Sequence, residues 1–180
     1  MHHYDFIVVG AGSAGSALAS RLSENGKFTV CLLEAGGSDR KFWVQMPLGY
    51  GKVFHDPSVN WRYMTEPEPN LDNQSVYWPR GKVLGGSSSI NAMVWVRGHK
   101  RDYEEWASVA PGWDWNNVQK IFNRIENWDG TSDVSRGMNG PQAVHDVSSD
   151  VHPLTISYLE AASQIGIKTN ADYNGPNMEG

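Results

Sequence analysis

The chain has 180 residues, 39% of them hydrophobic, with eight tryptophans and a formal net charge of −5. That length and apolar content are enough for a sizeable core and exclude a disordered chain. The acidic balance, with no basic run longer than His99-Lys100-Arg101, excludes a nucleic-acid backbone as partner.

The apolar run Phe6-Ile7-Val8-Val9 reads as a buried parallel strand, because it shows no polar alternation. It feeds into Gly10-Ala11-Gly12-Ser13-Ala14-Gly15. In a dinucleotide cradle Gly10 allows the tight turn, Gly12 lets a pyrophosphate approach the backbone, and Gly15 lets the next helix lie close to the strand. Ala14, Ala17, Leu18, Arg21 and Leu22 recur at helical spacing, and Asn25-Gly26 closes that helix. A second strand over Thr29-Val30-Cys31-Leu32-Leu33 ends in Glu34. That acid follows Gly15 at the roughly 20-residue interval where a carboxylate holds the adenosine ribose. The lone Cys31 is expected to pack as a small apolar group.

Residues 40 to 80 are rich in Pro, Trp, Tyr, Asn and Gly, and no regular series of βα repeats follows. A long functional excursion is expected there. Within it, residues 60–65 alternate like a strand that Pro67 and Pro69 stop, with Val76-Tyr77-Trp78 as its partner. Next comes Pro79 to Gly98, with Gly85-Gly86-Ser87-Ser88-Ser89 running into Ile90-Asn91-Ala92-Met93-Val94. Small residues there admit a flat or anionic ligand to the main chain, and serine hydroxyls can meet phosphate oxygens.

A short helix is expected from Asp102, and a longer one from Asn116 to Trp128, with Val118, Ile121, Phe122 and Ile125 on one face and Asp114 or Asn116 as cap. Residues 129 to 141 read as a polar loop, and 142 to 147 as a strand. A third helix spans Pro153 to Ile165 and buries Leu154, Tyr158, Leu159, Ala161, Ala162 and Ile165. No apolar run approaches the ~18 residues of a membrane span and no signal-peptide core precedes the first strand, so a cytoplasmic chain is expected. No metal site is expected.

Four blocks together carry a family resemblance: Tyr4 to Gly15 with Glu34, Asn60-Trp61 to Pro69, Arg80 to Arg97, and Gly98 to Trp106. On them the chain resembles the N-terminal part of the glucose-methanol-choline oxidoreductases, nearest the choline dehydrogenase branch. The resemblance implies an α/β fold, a Rossmann-like FAD-binding βαβ core with long irregular excursions and added helices. It implies that residues 1–180 are the N-terminal portion of an FAD-binding domain, with the substrate and catalytic portion outside the chain. By the same likeness Ser13 and Ala14 meet the FAD pyrophosphate, Val83 and Ser87 lie near the cofactor, and Asn91, Ala92, Met93 and Val94 run beside the isoalloxazine ring. Ile90 stands where some relatives carry a flavin-linking histidine, so FAD is expected to be non-covalent. The family's catalytic histidine matches none of the six here, so no catalytic residue is assigned within the chain.

The implied reaction is hydride transfer from a small primary alcohol to flavin N5. The alcohol, the electron acceptor (oxygen, a quinone or another carrier) and the oligomeric state stay open. Competing readings are a cyanohydrin-cleaving lyase that retains FAD, a non-catalytic FAD-binding fragment, and a nicotinamide dehydrogenase that would leave residues 85–91 without a role.

Overall fold

A computed structural model describes residues 2–131 and 134–179. They form two compact units, Met1–Val94 and Trp95–Gly180.

In the first unit, strand β1 (Phe6–Val9) pairs in parallel with β2 (Val30–Leu33), in the register Phe6↔Val30 to Val9↔Leu33. Helix α1 (Ser13–Ser23) makes the crossover between them. Asp5 fastens the outer end of the pair, its carboxylate accepting from the Thr29 N–H at 2.7 Å and the Thr29 hydroxyl at 2.8 Å. Those bonds, the backbone one first, hold the Asp5 pKa below the ordinary carboxylate value.

Both strands stand where the apolar runs place them, but the expectation of a sheet buried on two sides is corrected. Val8 is buried, whereas Ile7, Val9 and Leu33 are at least half exposed, and Cys31 is half-buried. Continuous apolar runs belong to parallel strands covered on both faces, and among the described residues α1 covers only one. The helix also packs differently from its simple apolar count. Leu18 is half exposed, and the inward positions are Gly15, Ala19 and Leu22. A glycine on the inward face brings the helix close enough for the small Ala19 to reach the sheet.

Two short helices follow, α2 (Phe42–Gln45) and α3 (Tyr50–Val53). Then β3 (Tyr63–Met64) pairs antiparallel with β4 (Tyr77–Trp78), a shorter version of the expected ribbon. Buried Asn60 ties its base together. Its Oδ1 accepts from the Arg62 and Arg80 N–H groups, and its Nδ2 donates to the Phe54 carbonyl and the Tyr77 hydroxyl. Below lies the core of this unit, Val53, Val59, Val83 and Ile90, with Val44 against it. Each such side chain contributes about 1.5–3 kcal/mol on leaving water.

The second unit begins with α4 (Lys100–Ala107), earlier than its apolar pattern suggests because His99 and Asp102 form a reciprocal cap. Helix α5 (Trp115–Ile125) is capped by Asp114, one of the two candidates. The expected extension to Trp128 is corrected. Glu126–Trp128 leave the helix as β5 and pair in parallel with β6 (Gln142–Val144), which ends three residues short of the expected strand. Glu126 is fully buried between Arg97, 2.5 Å from its Oε2, and Arg136, 2.8 Å from its Oε1, and this anchorage overrides the helical period. Ile121 is correspondingly turned out, at 49% exposure, while Val118 is buried.

Ser132 and Asp133, within the expected polar loop 129–141, lie outside the described residues. The same stretch holds buried Ser135 and Arg136, which a polar sequence does not announce. The last helix, α6 (Pro153–Gln164), forms where it is expected, and His152 caps its start, a role not assigned from the sequence. Its proposed buried side is corrected: Leu154, Tyr158 and Ile165 are more than 70% exposed.

Candidate functional site

The β1–α1 turn gives each fingerprint glycine a distinct physical setting. Gly10 has φ +93°, which a side chain would strain. A Cβ on Gly15 would run into the Gly10 carbonyl, so only glycine lets α1 start this close to the strand. A Cβ on Gly12 meets nothing nearer than the Gly86 Cα at 3.9 Å, an ordinary contact, so packing does not require glycine there. Gly12 is the N-cap of α1 without a side-chain cap, and no acid stands in the first turn. The first N–H groups of the helix, at exposed Ser13 and Ala14, are thus available to an anion and favoured by the helix dipole.

The second glycine-rich stretch comes to this turn. Gly85 (φ +87°) donates its N–H to the Ala11 carbonyl at 2.8 Å, Gly12 and Gly85 form a parallel bridge, and a Cβ on Gly86 would press on Gly12. A Cβ on Gly36 would strike the Lys82 carbonyl, and one on Gly81 the Gly86 carbonyl. Backbone therefore packs on backbone along the whole cradle. The adjacent glycines Gly36-Gly37 after β2 are the sequence signal for this close approach, one that the fingerprint pattern does not include.

Glu34 reaches across from the end of β2. One carboxylate oxygen accepts from the Ala11 N–H at 2.7 Å and the other from the Gly36 N–H at 2.8 Å. A carboxylate has about four acceptor sites, so two remain for a ligand hydroxyl. Val83 is completely buried in the core, so it supports the cradle from below without presenting a side chain. Ser88 and Ser89 donate their hydroxyls to the Gly85 and Leu84 carbonyls. Ser87 differs, because its oxygen accepts from the Gly81 N–H at 3.1 Å and its proton can point elsewhere.

Asn91, Ala92, Met93 and Val94 form an exposed strip leading out of the one-turn 3-10 helix Gly86–Ser89. The Asn91 Oδ1 accepts from the Met93 N–H at 2.8 Å and holds Met93 at φ +60°, an uncommon conformation for a long side chain. Asn91 and Met93 of this strip, with Ser88 and Ser89, line a cleft of about 130 Å³ together with Trp43, Met46 and Tyr50; Ala92, Val94 and Ser87 do not line it. All the expected cofactor residues thus lie in the first unit.

Four of the histidines have local partners, while His2 and His3 stand exposed near the start of the chain. His55 stacks on Tyr77, His99 and His152 cap helices, and His145 lies 2.5 Å from Asp129, whose pKa that contact lowers. Among the described residues no group of three or more His, Cys, Asp or Glu is placed to hold a metal ion, and no helix is long and apolar enough to cross a membrane.

A two-stranded parallel pair with a glycine-lined crossover and an acid at the end of the second strand is the dinucleotide-binding half of an α/β fold. The family model for the GMC oxidoreductases matches residues 4–180, and the chain belongs to that family. It is 47% identical over 177 residues to the oxygen-dependent choline dehydrogenase of Rhizobium etli, covering 98% of this chain and 32% of the relative. Among solved structures it is similar to pyridoxine 4-oxidase from Mesorbium loti, with a TM-score of 0.84 and 33% identity over 92% of this chain and 33% of that one. It is also similar to an FAD-dependent oxidoreductase from Chaetomium thermophilum, with a TM-score of 0.78 and 30% identity over 94% of this chain and 31% of that one. The chain spans about a third of the length of the curated relatives it matches.

Proposed function

We propose that these residues hold FAD, without a covalent link, in an oxidoreductase acting on the CH–OH group of a small primary alcohol. The observation that carries this reading is the convergence of two glycine-rich stretches on an uncapped helix N-terminus. Packing requires glycine at Gly15, Gly36, Gly81 and Gly86, but at Gly12 a Cβ would meet only ordinary contact, so the glycine there is left for a cradle's close approach of phosphate. The N–H groups of Ser13 and Ala14 face the pyrophosphate, the free lone pairs of Glu34 take the adenosine ribose hydroxyls, and the Ser87 hydroxyl donates to the cofactor. Asn91 to Val94 would border the isoalloxazine ring, and the Asn91 amide NH2, whose oxygen is taken by the Met93 N–H, would be the donor available to it. When bound, FAD supplies the hydride acceptor. Ile90 is 3% exposed and carries no nucleophile, which supports a non-covalent flavin. The names of the relatives support an alcohol substrate, and the helix-cap, stacking and ion-pair roles of His99, His152, His55 and His145 support a catalytic base outside these residues.

The test is anaerobic mixing of the full-length flavoprotein with candidate alcohols. Bleaching of the flavin absorbance, with the flavin released intact on denaturation, is the expected result. No flavin absorbance in the purified protein, or flavin that stays oxidised with every alcohol, overturns the reading.

A further inference from the structure

Ala11 is the node of the cradle. It is 1% exposed, and both sides of it are taken within the chain: its N–H by Glu34, its carbonyl by the Gly85 N–H at 2.8 Å and the Ser16 hydroxyl at 3.1 Å. Through Ala11 the end of β1, the end of β2, the start of α1 and the Gly85 turn are joined. The Ala11 amide therefore does not serve a bound phosphate.

We infer that Glu34 is a positioning residue which holds the phosphate loop in its receiving shape before any cofactor arrives. The inference deepens the FAD reading and rests on it only for what the loop receives. Two N–H groups, from Ala11 and Gly36, converge on the two oxygens of one side chain. Only a carboxylate offers an acceptor to both, and its charge strengthens both bonds. A glutamine in its place satisfies one N–H and turns its own NH2 towards the other, donor against donor. Toward a ribose hydroxyl, by contrast, glutamine still offers an acceptor. Glu34→Gln thus separates the positioning role from contact with the ribose alone.

The measurement is amide hydrogen exchange in the cofactor-free full chain, comparing native protein with Glu34→Gln and Glu34→Asp. In Glu34→Gln the Ala11 and Gly36 amides are expected to exchange about tenfold faster or more, the scale of one lost charge-assisted bond. Amides in the Phe6–Val9 and Val30–Leu33 ladder keep native protection and report that the fold persists. Glu34→Asp, one methylene shorter, releases at least one of the two. Native exchange at Ala11 and Gly36 in both variants overturns the inference, as does loss of protection spread equally over the ladder, which would make Glu34 a general fold residue. Because no FAD is present, either result leaves the cofactor reading untouched, and a separate FAD titration decides that one.

Discussion

Gly12 and Gly15 sit three positions apart and are glycine for different reasons. At Gly15 a Cβ meets main chain that cannot move aside, while at Gly12 it meets only ordinary contact and a φ of −77° that any residue adopts. Gly15→Ala is therefore expected to cost about 1–3 kcal/mol of stability. Gly12→Ala should stay within about 1 kcal/mol of native, the loss of a tolerable N-cap, yet weaken FAD binding about tenfold or more. Denaturant unfolding and flavin titration of the two variants check the contrast, and equal destabilisation would reassign Gly12 to packing. Val83 makes a similar point. A residue that resemblance places near the cofactor is 0% exposed, so its contribution is support.

Among the elements, the β1–β2 pair is held at one end by the Asp5 carboxylate on Thr29. Its pKa is lowered in the fold, so its stabilisation is present above the ordinary carboxylate value of 3.8 and is lost as the pH falls through the lower folded value. Native protein should lose denaturant resistance over that acid window more steeply than Asp5→Asn, and parallel pH profiles would remove Asp5 from the account. Helix α6 shows how a correct period can carry a wrong conclusion. The pattern from Pro153 predicts the helix, but Leu154 is 72% exposed. Leu154→Ala should change the stability of the 180-residue chain by no more than about 0.5 kcal/mol, whereas a buried leucine costs about 2–5 kcal/mol. Thermal or denaturant unfolding measures the difference.

The molecule divides its tasks between two units. The cradle lies wholly in Met1–Val94, while Trp95–Gly180 is centred on a buried charge cluster, Arg97, Glu126 and Arg136, with Asp172 at its edge. Burial pulls the Arg97 pKa below its ordinary value, and the Glu126 carboxylate pulls it back. Asn174 closes the cluster by accepting the Arg97 N–H and donating to the Trp95 carbonyl. Glu126→Ala leaves two buried guanidinium groups without their shared partner and should cost about 3–5 kcal/mol. Exchange protection should fall first across β5 and β6, read by amide exchange, and uniform loss over β1 and β2 would count against this division.

What the sequence determined by itself is local. The β1 run, the turn glycines, the starts of α1 and α6, the β3–β4 partners and the interval to Glu34 follow from backbone sterics, capping chemistry and periodicity over neighbouring residues. The serine-glycine stretch stands out in the sequence by its density of small residues, and the structure gives several of them a packing use, since a Cβ on Gly81 or Gly86 would strike main chain. Only the tertiary structure decided which donors Glu34 meets, that Gly85 and Gly86 back the β1–α1 turn, and that Glu126 leaves its helix to pair with arginines 29 positions before it and 10 after. The physical reason is that burial and hydrogen-bond partnership belong to pairs of segments. An apolar stripe states what a helix can bury, as in α6, but a second surface has to arrive before it does.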